Sequence, residues 1–153
     1  MTSSKIFLLI LTLLNTVFAA GRKLEIIPGQ SLGPYKIGST VSQLKSQGFT
    51  KDPDRSLDYY IKDNFIVLTE NGQITQIWYT GKTSDLSYKK KNLPMESSIT
   101  NLQNIFKNCD EPQTGSAGVI MYCHNKGISI TTSSEPSQKN KYEISVIKAP
   151  ISK

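Results

Sequence analysis

The chain has 153 residues, with 18 lysines and arginines against 12 acidic residues, a formal charge of +6 at pH 7 and 37% hydrophobic residues. That length suits one ordinary domain, and the modest, dispersed positive charge is too weak to argue for nucleic acid, while it is compatible with an anionic surface or an acidic partner. One histidine and two cysteines leave few side chains for nucleophilic or metal chemistry.

The first segment reads as a targeting sequence. Lys5 precedes an apolar run from Ile6 to Leu14, joined by Val17 and Phe18, and Val17-Phe18-Ala19 places small or aliphatic residues before a cut. This pattern predicts a secretory signal peptide over 1–19, cleaved after Ala19 or Ala20. A membrane-spanning helix needs about 20 apolar residues, and Thr12, Asn15 and Thr16 interrupt this run. Cleavage removes Lys5 and no acidic residue, so the formal charge falls from +6 to +5. No cysteine near the cut offers a site for a lipid anchor, so residues 20–153 are expected to form a single domain, secreted or periplasmic, without a transmembrane span.

Leu24 to Ile27 carries a short strand signal that ends at the Pro28-Gly29 turn. The run Ile37-Gly38-Ser39-Thr40-Val41-Ser42-Gln43-Leu44 starts a helix. Thr40 and Gln43 fit a capping box, Val41 and Leu44 face the core, and Gly48 stops the helix after about two turns. Lys51-Asp52-Pro53-Asp54-Arg55 reads as a linker. Strands are expected over 57–61, 65–69 and 73–79, the last two joined by Asn71-Gly72, a dipeptide suited to a primed turn because both positions need positive φ. Tyr59, Tyr60, Trp78 and Tyr79 fall on neighbouring strands, and such residues are enriched at recognition surfaces. Alternation hides either Trp78 or Tyr79 in the core, and Tyr59 and Tyr79 are assigned as the exposed binding pair with Trp78 as the buried anchor.

A polar linker from about 81 to 94 follows. It holds the dense run Lys89-Lys90-Lys91, either a solvated linker or a contact for anionic surfaces, with no aromatic residue interleaved to stack on bases. Met95-Glu96-Ser97-Ser98-Ile99-Thr100-Asn101-Leu102 is a second helix start. Over 98–108, Ile99, Leu102, Ile105 and Phe106 recur at spacings of three and four and form an amphipathic stripe. Strands are expected over 119–123, 128–132 and 142–147, the last two separated by a polar hairpin loop at 131–141.

Cys109 and Cys123 make an even pair, which in an exported chain favours one intramolecular disulfide; a metal site or a reactive thiol is the alternative reading. His124 is the only histidine, so a zinc site would have to recruit carboxylates from elsewhere, and no metal or cofactor is expected. No serine sits in a nucleophile elbow. The acidic pairs Asp52 with Asp54 and Asp110 with Glu111 lie beside prolines and read as solvated turn residues. Both halves run helix, strand, strand, strand. The sequence therefore predicts an α+β domain of two helix-plus-antiparallel-strand repeats, about 33–80 and about 93–148.

The helix start Ile37-Gly38-Ser39-Thr40-Val41, echoed by Met95-Glu96-Ser97-Ser98-Ile99, resembles the superfamily that includes the BamE (SmpA/OmlA) outer-membrane assembly lipoproteins and the tandem-repeat β-lactamase inhibitory protein. In that inhibitory protein a disulfide joins each helix end to the next strand, and Cys109 with Cys123 looks like that bridge. Ile26-Ile27-Pro28-Gly29-Gln30-Ser31-Leu32-Gly33 followed by Ile37-Gly38 is similar to the opening segment of the phagosome assembly factor family. These resemblances imply a helix-plus-sheet fold with a binding role. The expected function is a non-catalytic exported module that recognises a protein or envelope component through a sheet face, with Tyr59 and Tyr79 as contacts and Lys89, Lys90 and Lys91 beside them. The alternatives are a small hydrolase with an unrecognised site and a lysine-driven binder of anionic surfaces.

Overall fold

The computed structural model of the protein describes residues 23–94, 98–115, 118–125, 127–133 and 142–149. The signal peptide assigned to 1–19, the start of the second helix motif at 95–97 and most of the loop at 131–141 lie outside the described residues. The expected α+β fold of two helix-plus-strand repeats is corrected. The described residues are 48% strand and 15% helical, and strands in two sheets dominate. The helices are too short to form layers of their own: α1 is Val41–Ser46 and α2 is Ile99–Phe106. Helices of this length are held by packing of one apolar face rather than by intrinsic propensity.

The local signals explain how each helix begins and ends. Thr40 Oγ1 accepts from the Gln43 N–H at 3.3 Å, and the Gln43 side chain accepts from the Thr40 N–H at 2.9 Å, which completes the capping box. Ser98 caps α2 by accepting from the Asn101 N–H at 3.1 Å. Leu102 and Phe106 are buried, with Ile99 and Ile105 packed against the core. This helix stops at Phe106, two residues before the predicted end, because Lys107 and Asn108 turn to φ 57° and 44°.

Thirteen strands are described: β1 Leu24–Ile27, β2 Ser31–Leu32, β3 Tyr35–Lys36, β4 Thr50–Lys51, β5 Tyr59–Lys62, β6 Phe65–Glu70, β7 Gln73–Tyr79, β8 Leu86–Tyr88, β9 Lys91–Asn92, β10 Gln113–Gly115, β11 Gly118–Cys123, β12 Ile128–Ser133 and β13 Tyr142–Ile147. The larger sheet has eight, ordered β10-β11-β12-β13-β7-β6-β5-β4, and every neighbouring pair is antiparallel. β7 and β13 are paired at its centre, joining segments far apart in sequence. The Asn71-Gly72 hairpin forms as expected, with φ 50° and 75°.

A second sheet was not legible in the sequence. It has five strands ordered β3-β2-β1-β8-β9, with β1 and β8 running parallel. β8 and β9 lie inside the segment read as a linker over 81–94. Leu86 and Tyr88 are buried there, in one continuous core with Ile26 and Leu32 of the small sheet, Leu44 and Phe106 of the helices, and Val67, Ile77, Ile130 and Val146 of the large sheet. The charge run crosses the tip of this β8–β9 hairpin. Lys89 and Lys90 take φ 50° and 64°, a two-residue primed turn built from lysines where asparagine and glycine would cost less.

Candidate functional site

The large sheet has one face in the core and one facing away from it. On the core side, Tyr60, Val67, Ile77, Val146 and Ile128 stand in register across five strands. The opposite face carries a row Ile61, Ile66, Trp78, Ser145, Ser129 and Tyr122, also in register. A second row on that face contains Tyr59, Leu68, Gln76 and Ile147. Trp78 and Tyr59 meet diagonally across β6, with ring centroids 5.8 Å apart. Cross-strand aromatic and aliphatic neighbours of this kind hold one another in place on a sheet surface.

Two side chains change places relative to the sequence reading. Tyr79, expected to be exposed, is only 6% exposed and packs in the core against Phe65 with its ring tilted by 56° and centroids 5.1 Å apart. Trp78, expected to be buried, is half-buried on the outer face. The cause is a bulge. Leu68 pairs with Gln76, but Thr69 pairs with Ile74, so Thr75 is an extra residue in β7. One inserted residue reverses the parity of the rest of the strand, and Ile74, Ile77 and Tyr79 all point inward where strict alternation would separate them.

Three polar residues of this face bond one another. Gln76 Nε2 donates to Ser145 Oγ at 2.9 Å, and Ser145 Oγ and Ser129 Oγ lie 2.6 Å apart. Both serines are buried, since they are small and stand between the rings of Trp78 and Tyr122 in the same row. At the β5 end the face is open: Ile61 is 38% exposed, and Leu57, just before the strand, is 56% exposed. Arg55 adds a charge there, its guanidinium carbon 4.7 Å from the centroid of the Tyr59 ring.

The predicted site is therefore brought together only in part. Tyr59 lies on the outer face, Tyr79 does not, and Lys89, Lys90 and Lys91 project from the other sheet. Sequence reasoning missed Trp78, Ile61 and Arg55 as surface residues. The β7 bulge that exposes Trp78 leaves no mark in the residue pattern, and Arg55 sat in what read as a linker.

Cys109 and Cys123 are joined in a disulfide, directly opposite one another in an isolated antiparallel bridge. The next residue, His124, has its Nε2 2.8 Å from Tyr88 Oη, a contact that ties the β11–β12 turn to the small sheet. Among the described residues no group of three or more His, Cys, Asp or Glu side chains could hold a metal ion, and no helix is long and apolar enough to cross a membrane. No family model, curated protein or solved structure matches this chain.

Tyr79 shows what burial does to a core phenol. Removal from water, then its bond to Asp85, with Oη donating to Oδ2 at 2.8 Å, pushes the phenol above its ordinary value of 10.0. A raised folded-state pKa holds the proton more tightly than the unfolded chain does, so its contribution to stability is intact below pH 10 and is lost as pH rises through the folded value. Chemical denaturation from pH 8 to 11 should show this alkaline loss. Tyr79→Phe should remove it, at a cost of about 1–3 kcal/mol near neutrality from the lost hydrogen bond to a carboxylate.

Proposed function

We propose that this chain is an exported, non-catalytic binding module that recognises a protein or envelope component through the outer face of its eight-stranded sheet. The observation that carries the reading is the in-register row of Ile61, Ile66 and Trp78 beside Tyr59 and Leu68, aromatic and aliphatic side chains on a sheet face turned away from the core. Clustered aromatic residues supply large contact area with few rotatable bonds and dominate many recognition surfaces. The disulfide supports export, because such bonds persist in oxidising compartments. The primed Lys89-Lys90 turn lies on the other sheet, so its lysines act on approach rather than at the contact itself.

The test is capture of a partner by the mature protein from its own envelope or secretome fraction, followed by titration with variants. Tyr59→Ala should weaken the captured complex by more than about 1 kcal/mol, whereas charge reversal at Lys89, Lys90 and Lys91 should act mainly at low salt. Lysine variants that lose binding at every ionic strength, with Tyr59→Ala unaffected, would replace this reading with recognition of an anionic surface.

A further inference from the structure

We infer that the β4–β5 end of the outer face is a clamp for a carboxylate carried on an apolar segment of an acidic protein; this rests on the sheet-face reading and names the chemistry of its partner. Asp52 extends β4 by donating its N–H to the Tyr59 carbonyl at 2.9 Å, which places its side chain on the outer face beside that ring. Read from sequence as a solvated turn residue, it is instead only 15% exposed. Its Oδ1 accepts from the Asp54 N–H at 3.1 Å, and its Oδ2 pairs with Arg55 Nε at 3.2 Å.

The consequence is an arginine fixed from two sides. Asp52 holds Nε, and the guanidinium carbon sits over the Tyr59 ring, 4.7 Å from its centroid. Arg55 itself remains 45% exposed and makes no other ion pair among the described residues. Its two terminal nitrogens are thus left to a ligand, in the planar fork that matches the two oxygens of a carboxylate. A free surface arginine loses rotamer entropy when it binds, and one already stacked and paired loses less.

The surroundings decide what bears the carboxylate. Leu57 and Ile61 are exposed on either side of Tyr59 in sequence, and Trp78 lies 5.8 Å from its ring. An acidic sugar would need further free hydrogen-bonding side chains, and the nearby Gln76 is engaged by Ser145. Aliphatic side chains flanking an acidic one fit this surface, and the formal charge of +5 left after cleavage complements an acidic protein.

Trp78 is the single tryptophan of the chain, so its emission reports directly on this face. The probes are an acetylated, amidated peptide alternating leucine and glutamate and its leucine-glutamine counterpart, titrated at physiological salt by calorimetry and Trp78 fluorescence. The glutamate peptide should shift Trp78 emission and bind more tightly than the glutamine peptide by about tenfold. Arg55→Gln should abolish that preference without moving the thermal melt. Asp52→Asn separates positioning from charge: it makes the protein more positive, so general attraction would strengthen glutamate-peptide binding, whereas the clamp requires it to weaken. Equal binding of the two peptides with a Trp78 response, or an undiminished preference in Arg55→Gln, overturns the clamp and leaves the sheet-face reading standing. Peptide binding that leaves Trp78 emission unchanged counts against both. No binding of either peptide overturns the clamp alone, because the sheet face is judged by the captured partner.

Discussion

Alanine substitution of the adjacent aromatics Trp78 and Tyr79 is expected to produce opposite defects. Tyr79→Ala empties a core position between Phe65 and the Asp85 carboxylate, so guanidinium unfolding should show a loss of about 3–5 kcal/mol, the range for deleting a buried aromatic side chain. Trp78→Ala should cost less, about 1–2 kcal/mol of stability, since that side chain is only partly buried on the outer face. Its effect should appear in partner affinity, with a loss of about 2 kcal/mol or more, as for a central aromatic contact. Normal partner binding by a folded Trp78→Ala protein would remove the outer face from consideration.

Removal of the disulfide, whose Cys123 is itself a core residue, should also produce a large loss. Cys109 and Cys123 are separated by 14 positions, and opening a loop of that size releases unfolded-state entropy worth about 3 kcal/mol in the simplest chain model. The bridge also secures a costly turn. Lys107 and Asn108 both have positive φ just before Cys109, and the Asn108 carbonyl accepts from the His124 N–H at 2.9 Å. Cys123→Ser should therefore lower the denaturation midpoint strongly, and the double variant with Cys109→Ser should match it. Thiol titration of denatured native protein should find no free thiol; two free thiols would refute the pairing.

Between the two predictions lies a contrast in what residue patterns can encode. The Thr40–Gln43 box, the Ser98 cap, the Asn71-Gly72 turn and the buried stripe of α2 depend on residues a few positions apart, and each forms at the place its sequence signal indicates. The misreading of fold class came from weighting those helix starts too heavily. Capped helices of this length contribute one buried face each, while strands dominate, most paired with their neighbours in the chain and assembled into two sheets by the long-range pairs β1–β8 and β7–β13.

The candidate surface shows the same limit at the level of single side chains. Tyr59 was recognisable because its strand follows simple alternation. Trp78 and Tyr79 were exchanged because one unpaired residue, Thr75, shifts the phase of β7. Arg55 and Asp52 looked like solvated linker residues until the extension of β4 placed them against the Tyr59 ring.

The amino-acid sequence by itself determined the local elements: where helices start and stop, where the β6–β7 hairpin turns, and that the two cysteines make a single possible intramolecular pair. Tertiary structure alone decided that Leu86–Tyr88 becomes a strand parallel to β1, that β7 and β13 join at the centre of the large sheet, and that Trp78 faces outward. The physical reason is range. Caps and tight turns are stabilised by hydrogen bonds between near neighbours in the chain, whereas strand partners and bulges are selected by which distant apolar side chains can be buried together.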